Sequence, residues 1–267
     1  MTPDPGDRAD GPGMAVVMVS YRTGPALEAA CAAVLAEPAV SELVLVDNGN
    51  PPEAEAYLDE LAAGQPRVRL LRGHGNIGFG RACNLGAGAA TAPCLVFLNP
   101  DTEARPGALI QLARTALARQ ALVGALLVDG EGREQRGARR GPLTPVSLLV
   151  QVLRIGRPGP EAGWRRAFNR LDEPLPQTVV PMETVSGACF AIPRAVFGSL
   201  GGFDPRYFLH FEDVELCRHA RRRGVPVLLD PSAHVLHVGS TSRVSTWWIG
   251  KWKICSLLLY LFGAARV

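Results

Sequence analysis

Two adjacent carboxylates, Glu212 and Asp213, lie in an aromatic and apolar segment that reads Y-F-L-H-F-E-D-V-E from Tyr207 to Glu215. Burying bare acids is costly unless they are paired, bind a metal or take part in chemistry. An apolar setting also raises the pKa of a carboxyl group, which suits a general base. The alternative is a helix N-terminus, where acidic side chains in the first turn are stabilised by the helix dipole and need no catalytic role. The catalytic interpretation of this pair therefore depends on evidence from other residues.

A second acidic candidate follows the apolar run that ends in Asn99-Pro100-Asp101. If this run is a strand, the proline holds Asp101 at the carboxyl end, where ligands bind in parallel α/β sheets. Oxygen ligands of this kind suit Mg²⁺ or Mn²⁺, which usually bridge a protein to a diphosphate. The alternative is a turn that caps a helix starting at Pro106.

His237 is the third candidate. It closes a strand-like segment and precedes Gly239-Ser240-Thr241-Ser242, a small polar loop. An isolated histidine, such as His234, is usually structural, but an imidazole beside such a loop is a candidate ligand for a metal or a phosphate.

The segment Gly73–Gly78 reads G-H-G-N-I-G and matches the dinucleotide-binding pattern G-x-G-x-x-G. A nicotinamide or flavin oxidoreductase is therefore one alternative. The pattern normally follows the first strand of a nucleotide-binding half, whereas two strand–helix units precede it here. The glycines equally suit a tight turn and close helix packing.

Apolar runs alternate with helical patterns along the chain. This alternation predicts an α/β fold with a mostly parallel, doubly wound sheet and helices on both faces. Ligands are then expected beyond the carboxyl ends of the strands, where Ser20, Asp47 and Asp101 fall. Strands are predicted at Ala15–Ser20, Glu42–Val46, Val68–Leu71, Cys94–Leu98, Leu122–Val128, Thr184–Ile192 and Val225–Leu229, and helices at Ala26–Ala36, Glu53–Ala63, Phe79–Ala90, Pro106–Arg119 and Asp213–Arg223.

The domain organisation follows from changes in composition. Residues 1–13 are rich in Pro, Gly and Asp and predict a disordered leader. Residues 14–242 form the predicted single domain. Within it, residues 130–181 are rich in Gly, Pro and Arg, with one apolar stretch at Val146–Leu153, and predict a variable excursion. Residues 243–267 predict an amphipathic C-terminal helical extension.

The segment Thr246–Phe262 holds three of the four tryptophans and two lysines. Its apolar run is too short to span a bilayer comfortably. Tryptophan and lysine beside an apolar run suit a helix lying on a membrane surface, while burial against the domain or a second subunit is the alternative.

Composition narrows the class of partner. The net charge of +3 and the absence of a long basic run argue against nucleic acid. The six cysteines are widely spaced with no C-x-x-C pair, which predicts buried, reduced thiols in a cytoplasmic protein.

Several segments in order resemble the family 2 glycosyltransferases, most closely the rhamnosyltransferase-like branch. The resemblance covers about Ala15 to Ser242. The segments are V-M-V-S-Y at Val17–Tyr21, L-V-D-N-G at Leu45–Gly49, G-N-I-G-F-G-R-A-C-N-L-G at Gly75–Gly86, L-N-P-D-T at Leu98–Thr102, G-A-C-F at Gly187–Phe190, G-G-F-D-P-R-Y-F at Gly201–Phe208, F-E-D at Phe211–Asp213, and His237.

The resemblance implies a GT-A fold, a nucleotide-diphosphate-sugar donor, a divalent metal (Mg²⁺ or Mn²⁺) and an inverting transfer to an acceptor hydroxyl. By the same resemblance Asp213 is the general base and Glu212 its orienting neighbour. Asp101 takes the place of the metal-binding acid in the family's D-x-D motif, and His237 completes the metal or diphosphate contacts. Asn99 stands where many members have the first aspartate.

The remaining site residues are assigned to the donor or the acceptor. Asp47 would hydrogen-bond a pyrimidine and Tyr21 would flank it, with Ser20 at the same strand end. Other donor candidates are Asn76 and Asn84 (or helix caps), Gly78 at its turn, Arg81 (or an exposed helical arginine) and Asn99. Acceptor-side candidates are Gly187, which alternatively permits tight strand packing, and Phe211.

The sequence leaves the substrates open. The donor is a dTDP- or UDP-sugar, and the acceptor is a lipid-linked glycan, a polysaccharide end or a small molecule, which is consistent with cell-envelope synthesis. A homo-oligomer and a peripheral site on the inner face of the membrane remain open, as does a non-catalytic nucleotide-sugar-binding protein that has kept the fold.

Overall fold

The computed structural model describes residues 13–135, 137–141, 170, 173–238 and 245–263. Most of the predicted leader, the Val146–Leu153 stretch and the polar loop at 239–242 lie outside the described residues.

The described elements follow the predicted alternation closely. The strands are β1 (Met14–Ser20), β2 (Val40–Asp47), β3 (Val68–Leu71), β4 (Cys94–Leu98), β5 (Thr102–Ala104), β6 (Leu122–Val128), β7 (Arg139–Arg140), β8 (Val180–Pro181), β9 (Thr184–Val185), β10 (Cys189–Pro193) and β11 (Val227–His237). The helices are α1 (Ala26–Leu35), α2 (Pro52–Gly64), α3 (Phe79–Ala89), α4 (Ala108–Arg119), α5 (Arg194–Ser199), α6 (Glu212–Arg222) and α7 (Thr246–Phe262).

The central sheet has the strand order β3-β2-β1-β4-β10-β6-β11-β5, with β8 paired to β11. Its first half, from β3 to β4, is parallel. Strand β10 is antiparallel to both of its neighbours, and β5 and β8 are antiparallel to β11, so the sheet is mixed in its second half. A separate two-stranded sheet joins β7 and β9.

The sheet is covered by helices on both faces, and β1 shows how its sequence achieves this. Because side chains alternate between faces, Met14, Val16 and Met18 pack into one core. Ala15 and Val17 pack into the other. The first core includes side chains of α1, α2 and α4, and the second those of α3, α5 and α6. This explains why the buried strands read as continuous apolar runs.

The segment after Asp101 differs from the prediction. Instead of leading directly to a helix, it forms β5, which pairs antiparallel with the end of β11. The helix begins at Ala108 rather than at Pro106, because Gly107 adopts a left-handed conformation (φ 80°) and turns the chain first. A three-residue edge strand carries too little periodicity to be seen in a sequence.

The predicted strand Thr184–Ile192 is two strands. Strand β9 pairs with β7, whereas β10 enters the central sheet between β4 and β6. Between them Ser186, Gly187 and Ala188 form a break that reaches the ligand edge of the sheet. The predicted strand at Val225–Leu229 is instead part of a continuous β11, which has a register shift between Asp230 and His234.

The C-terminal segment is helical over the predicted range. One side of α7 packs on the domain, where Leu257 is buried with Tyr207, Phe211 and Val214. Five cysteines are buried, but Cys255 on α7 is exposed, so the prediction that every cysteine is buried is wrong at this position. In the part of the chain that the structure describes, no helix has the length and apolar character needed to cross a bilayer.

Candidate active site

The parallel half of the sheet brings two candidate donor residues together. Ser20 and Asp47 are paired in register at the carboxyl ends of β1 and β2. Asp47 Oδ1 accepts hydrogen bonds from the Gly49 amide (2.9 Å) and from Asn50 Nδ2 (2.7 Å), and Asn50 Nδ2 also donates to Ser20 Oγ (2.8 Å). Asn50, which the sequence did not single out, therefore fixes both strand ends. These hydrogen bonds form a polar floor, made of Ser20, Asp47 and Asn50, at the carboxyl ends of β1 and β2.

Tyr21 extends this floor with an aromatic surface. Its ring stacks on Trp248 of α7, with ring centroids 6.1 Å apart and planes 26° apart, and the Arg22 guanidinium lies 5.4 Å from its centroid. The C-terminal helix thus reaches the pocket that the sequence assigned to the nucleobase. This contact could not be predicted from local sequence patterns, because 227 positions separate Tyr21 from Trp248.

The G-H-G-N-I-G segment forms a turn that packs on the protein itself. Asn76 Oδ1 accepts from the Gly78 amide at 3.0 Å. Gly78 has a φ of 88°, and a Cβ there would lie 2.6 Å from the Phe208 carbonyl oxygen. That carbonyl accepts a hydrogen bond from the Phe79 amide (2.9 Å). The glycine is therefore required for close approach of the Phe208 backbone, which accounts for the pattern without a dinucleotide.

Asn84 and Arg81 both bind backbone atoms. The Asn84 amide accepts from the Phe203 N–H and donates to the Phe203 carbonyl, both at 2.8 Å. Arg81 Nε donates to the Pro205 carbonyl at 2.7 Å. Helix α3 thus holds the G-G-F-D-P segment in place. In this structure both side chains position the loop that leads to Glu212.

Asp101 and His237 meet because β5 pairs with β11. Thr102 lies opposite His237, and the Val238 amide donates to the Asp101 carbonyl at 3.1 Å. His237 Nε2 lies 3.5 Å from Asp101 Oδ1, which is buried and accepts no hydrogen bond among the described residues. The two side chains that the sequence placed 136 positions apart therefore form one polar pair.

Gln135 orients this pair, although no motif or spacing in the sequence marks this residue. Its Oε1 lies 2.5 Å from His237 Nδ1, and its Nε2 donates to the His237 carbonyl at 3.1 Å. An amide oxygen accepts, so His237 Nδ1 donates to Gln135, and Nε2 is the ring nitrogen that faces Asp101. Such an outer contact is how metal-binding histidines are held in one tautomer.

The pair fits a divalent cation that a diphosphate would complete. Asp101 offers a buried, unpartnered oxygen and His237 an oriented nitrogen, while the nearby Asn99 Oδ1 is also buried without a hydrogen-bond partner in the described ranges. No group of three or more His, Cys, Asp or Glu side chains there could hold a metal alone. A cation at this site would depend on substrate oxygens, as Mg²⁺ and Mn²⁺ commonly do.

The break between β9 and β10 joins this pair to the second acidic site. The Asn99 amide donates to the Ala188 carbonyl at 2.9 Å. One residue earlier, the Gly187 amide donates to Asp213 Oδ2 at 3.0 Å. A Cβ on Gly187 would lie 3.0 Å from Asp213 Cβ, so a side chain at this position would crowd Asp213 and strain this contact. The two halves of the site are therefore connected through Gly187–Ala188.

Asp213 is held by three donors. Besides Gly187, the Val214 amide donates to Oδ1 at 2.8 Å, and Arg140 on β7 donates to Oδ2 at 3.3 Å. The prediction that Glu212 orients Asp213 is not what the hydrogen bonds show, because these three contacts come from other residues. Arg140 had no sequence signal, since it lies in the excursion that was read as variable.

The backbone before Asp213 is strained. His210 and Phe211 both have a φ of 67°, which is unfavourable for residues with a Cβ. The Phe211 ring packs on Tyr260 of α7, with centroids 5.7 Å apart, and is buried. Phe211 thus fixes the backbone turn that leads into α6.

Glu212 points into the protein rather than toward the open edge. Its Cβ lies in the packing between α6 and Gly80 of α3, and its Oε2 is buried without a hydrogen-bond partner in the part of the chain described. Burial, together with the nearby charge of Asp213, raises the pKa of the Glu212 carboxyl to about 8. The group is therefore mainly protonated at pH 7.

We predict that Glu212→Gln stabilises the protein increasingly as the pH rises. The folded-state pKa is about 8 against 4.5 for the ordinary group, so the folded protein binds more protons between these values, and its stability falls as the pH rises through this window. Glutamine removes that loss, by on the order of 3 kcal/mol between pH 5 and pH 9. Thermal unfolding at both pH values measures it, and a Tm difference that stays constant with pH would contradict it.

Comparison with known protein families adds a family match. A family model described as Glycosyl transferase family 2 matches residues 15–198. This range contains Asp47, Asp101 and Gly187 but stops before Asp213 and His237. A curated protein of Mycobacterium tuberculosis (strain CDC 1551 / Oshkosh), described as N-acetylglucosaminyl-diphospho-decaprenol L-rhamnosyltransferase, is 34% identical over 236 residues. The match covers 83% of this chain and 75% of the relative.

Solved structures share the fold. A structure of GalNAc-T7 with UDP, GalNAc and Mn²⁺ superposes with a TM-score of 0.64 at 22% identity, covering 87% of this chain and 45% of that one. The mannosyltransferase PcManGT from Pyrobaculum calidifontis, in complex with GDP-Man and Mn²⁺, has a TM-score of 0.62 at 15% identity. The match covers 99% of this chain and 69% of that chain. The predicted GT-A fold is confirmed, and neither the oxidoreductase nor the non-catalytic alternative is supported.

Proposed function

The chain belongs to glycosyltransferase family 2, and from this premise we propose that it transfers a deoxyhexose, rhamnose being favoured, from a nucleotide-diphosphate donor to a lipid-linked glycan in cell-envelope synthesis. The observation that carries the proposal is the connection of Asp213 to the Asp101–His237 pair through Gly187–Ala188. This connection supports the proposal because it brings the Asp213 carboxylate and the Asp101–His237 pair to one edge of the sheet. The named activity of the mycobacterial relative supports the sugar and the acceptor class.

Asp213 is the proposed general base. It takes the proton of the acceptor hydroxyl as the oxygen attacks the anomeric carbon of the donor sugar. The bond from that carbon to the diphosphate oxygen breaks, the configuration inverts, and the nucleoside diphosphate leaves. An alcohol is a poor nucleophile until such a base removes its proton, a contribution of about 10²- to 10⁴-fold.

Asp101 and His237 are the proposed residues that hold Mg²⁺ or Mn²⁺, with Gln135 keeping His237 in the ligating tautomer. When bound, the cation neutralises charge that develops on the leaving diphosphate. Asn99, on the same turn, supplies a buried amide oxygen near this charge.

The nucleobase is proposed to lie at Asp47 and Tyr21. The Asp47 carboxylate accepts from a base N–H, and the Tyr21–Trp248 stack bounds the pocket with an aromatic surface. Both thymine and uracil offer the same N–H, so this contact accepts dTDP- and UDP-sugars alike. Gly78 and Asn76 shape the loop beside it.

Calorimetric titration of dTDP-rhamnose, UDP-glucose, GDP-mannose and NADH, each with and without Mn²⁺, tests the proposed donor. We expect Mn²⁺-dependent binding of one pyrimidine nucleotide-sugar. Binding of NADH alone would overturn the proposal and would indicate that the Gly73–Gly78 turn binds a dinucleotide.

The exposed side of α7 is proposed to lie on the cytoplasmic face of a membrane. Trp247 (75% exposed), Leu258 (50%) and Phe262 (80%) share this side with Ile254 and Leu261. No acidic residue occurs in Thr246–Phe262, whereas Lys251 is exposed, which complements an anionic lipid surface. The opposite side of α7 packs on the domain through Leu257, so the proposed membrane contact concerns only the exposed side.

The triple variant Trp247→Ser, Ile254→Ser, Leu258→Ser is expected to lose binding to phosphatidylglycerol vesicles by at least about tenfold, because each buried apolar side chain contributes roughly 1.5–3 kcal/mol. Co-sedimentation measures it. The control is Leu85→Ser with Leu175→Ser, which changes exposed leucines elsewhere. Equal sedimentation of the triple variant and the wild type would contradict the proposal.

A further inference from the structure

Basic and imidazole side chains that are not part of the candidate metal pair lie on segments that pack around Asp213. Arg140 pairs with Asp213 Oδ2 at 3.3 Å and is about one quarter exposed. Its position is fixed by the small β7–β9 sheet, where Arg140 lies opposite Thr184. The neighbouring Arg139 is buried and paired with Glu134, so the two arginines have different roles.

His210 and Lys253 lie at the same place. Trp252 of α7 stacks on Phe208 with centroids 4.2 Å apart, and Ser256 Oγ donates to the Leu209 carbonyl at 2.8 Å. These contacts pack the turn of α7 that carries Lys253 against the segment that carries His210, whose Nε2 is buried without a hydrogen-bond partner among the described residues. Burial, followed by the charges of Lys253 and Arg140, lowers the pKa of His210 to about 4. The imidazole is therefore neutral and its ring can donate one N–H.

We infer that Arg140, His210 and Lys253 form a subsite for a phosphate group carried by the acceptor, directly beside the catalytic base. This inference rests on the proposed function. An acceptor sugar attached through phosphate presents its anionic group a short distance from the hydroxyl that reacts. Two cations and an unpartnered imidazole are the donors that such a group binds.

The subsite also explains why Asp213 is paired with an arginine. Three of the four lone pairs of the Asp213 carboxylate are occupied, because Gly187 and Arg140 both donate to Oδ2 and Val214 donates to Oδ1, which keeps one lone pair free. An arriving phosphate offers Arg140 a stronger, bidentate partner. Arg140 then turns from Oδ2 to the phosphate, which leaves a lone pair of Oδ2 for the proton. Acceptor binding and activation of the base are thereby coupled.

The subsite further links the acceptor to the membrane surface. Lys253 belongs to α7, whose opposite side carries the exposed apolar side chains. A phosphate-linked lipid in the bilayer would therefore approach the base along the helix that lies on that bilayer.

Binding of two soluble probes tests the inference. The first is N-acetylglucosaminyl diphosphate with a short isoprenoid tail, and the second is the uncharged octyl N-acetylglucosaminide. Calorimetry of wild type, Arg140→Ala, Arg140→Lys and Lys253→Ala is done in the presence of Mn²⁺ and nucleoside diphosphate. We expect Arg140→Ala and Lys253→Ala to bind the diphosphate probe at least tenfold more weakly, with less than a twofold change for the octyl glycoside. Arg140→Lys should retain part of the affinity.

The control is Arg133→Ala, which removes an exposed arginine of the same excursion that pairs with Asp129. Equal losses for both probes would show that Arg140 is only structural, and unchanged affinity for the diphosphate would also overturn the inference. If Arg140→Ala weakens binding to phosphatidylglycerol vesicles but not to the soluble diphosphate, the cluster binds lipid headgroups and the inference fails. Donor binding, titrated separately for each variant, reports on folding and on the proposed function independently.

Discussion

Asp213→Asn is expected to abolish measurable sugar transfer, a loss of about 10²- to 10⁴-fold in kcat, while donor affinity changes little. Asparagine keeps the shape of the side chain, and its single oxygen can still accept from one of the Gly187 and Val214 amides, which donate to different oxygens of Asp213. It cannot take a proton from the acceptor hydroxyl. The donor contacts proposed at Asp47 and Asp101 lie on other strands and are untouched. Rates of product formation, together with calorimetric donor binding, separate the two effects.

A matched control is Asp59→Asn, which changes an exposed aspartate paired with Arg72 on the surface. It should leave turnover unchanged. Near-normal turnover by Asp213→Asn would show that another group removes the proton.

Asp101→Ala is expected to remove the Mn²⁺-dependent part of donor affinity, a loss of at least about 100-fold, since even outer-shell changes at metal sites cost 10- to 100-fold. The variant deletes the buried carboxylate that faces His237 Nε2. Donor titrations with Mn²⁺ and with a chelator measure the difference. Unchanged affinity with Mn²⁺ would exclude Asp101 as a ligand.

Gln135→Leu provides a graded companion to this change. It leaves both proposed ligands in place but removes the acceptor for His237 Nδ1–H, so His237 is no longer held in one tautomer. We expect a loss of about 10- to 100-fold in Mn²⁺ affinity. If Gln135→Leu binds Mn²⁺ as tightly as wild type while Asp101→Ala does not, the amide has only a structural role.

The sequence by itself determined the α/β fold, most strand and helix bounds and the polar residues at the strand ends. It could do so because these depend on local signals. Apolar runs of five to eight residues can be buried on both faces only as central strands, and side chains at carboxyl ends of parallel strands converge by geometry. Ser20 and Asp47 therefore lie opposite each other as expected. The order of short motifs also indicated the family, which the match to residues 15–198 confirms.

Only the tertiary structure decided which of these residues meet, and which others support them. Asp101 reaches His237 through β5, a strand of three residues with no visible periodicity. Arg140, Gln135 and Trp248 enter the site from the excursion and the C-terminal helix, where neither spacing nor propensity marks them. Such contacts depend on pairings between distant segments, whose register is set by the packing of the whole sheet and not by any local pattern.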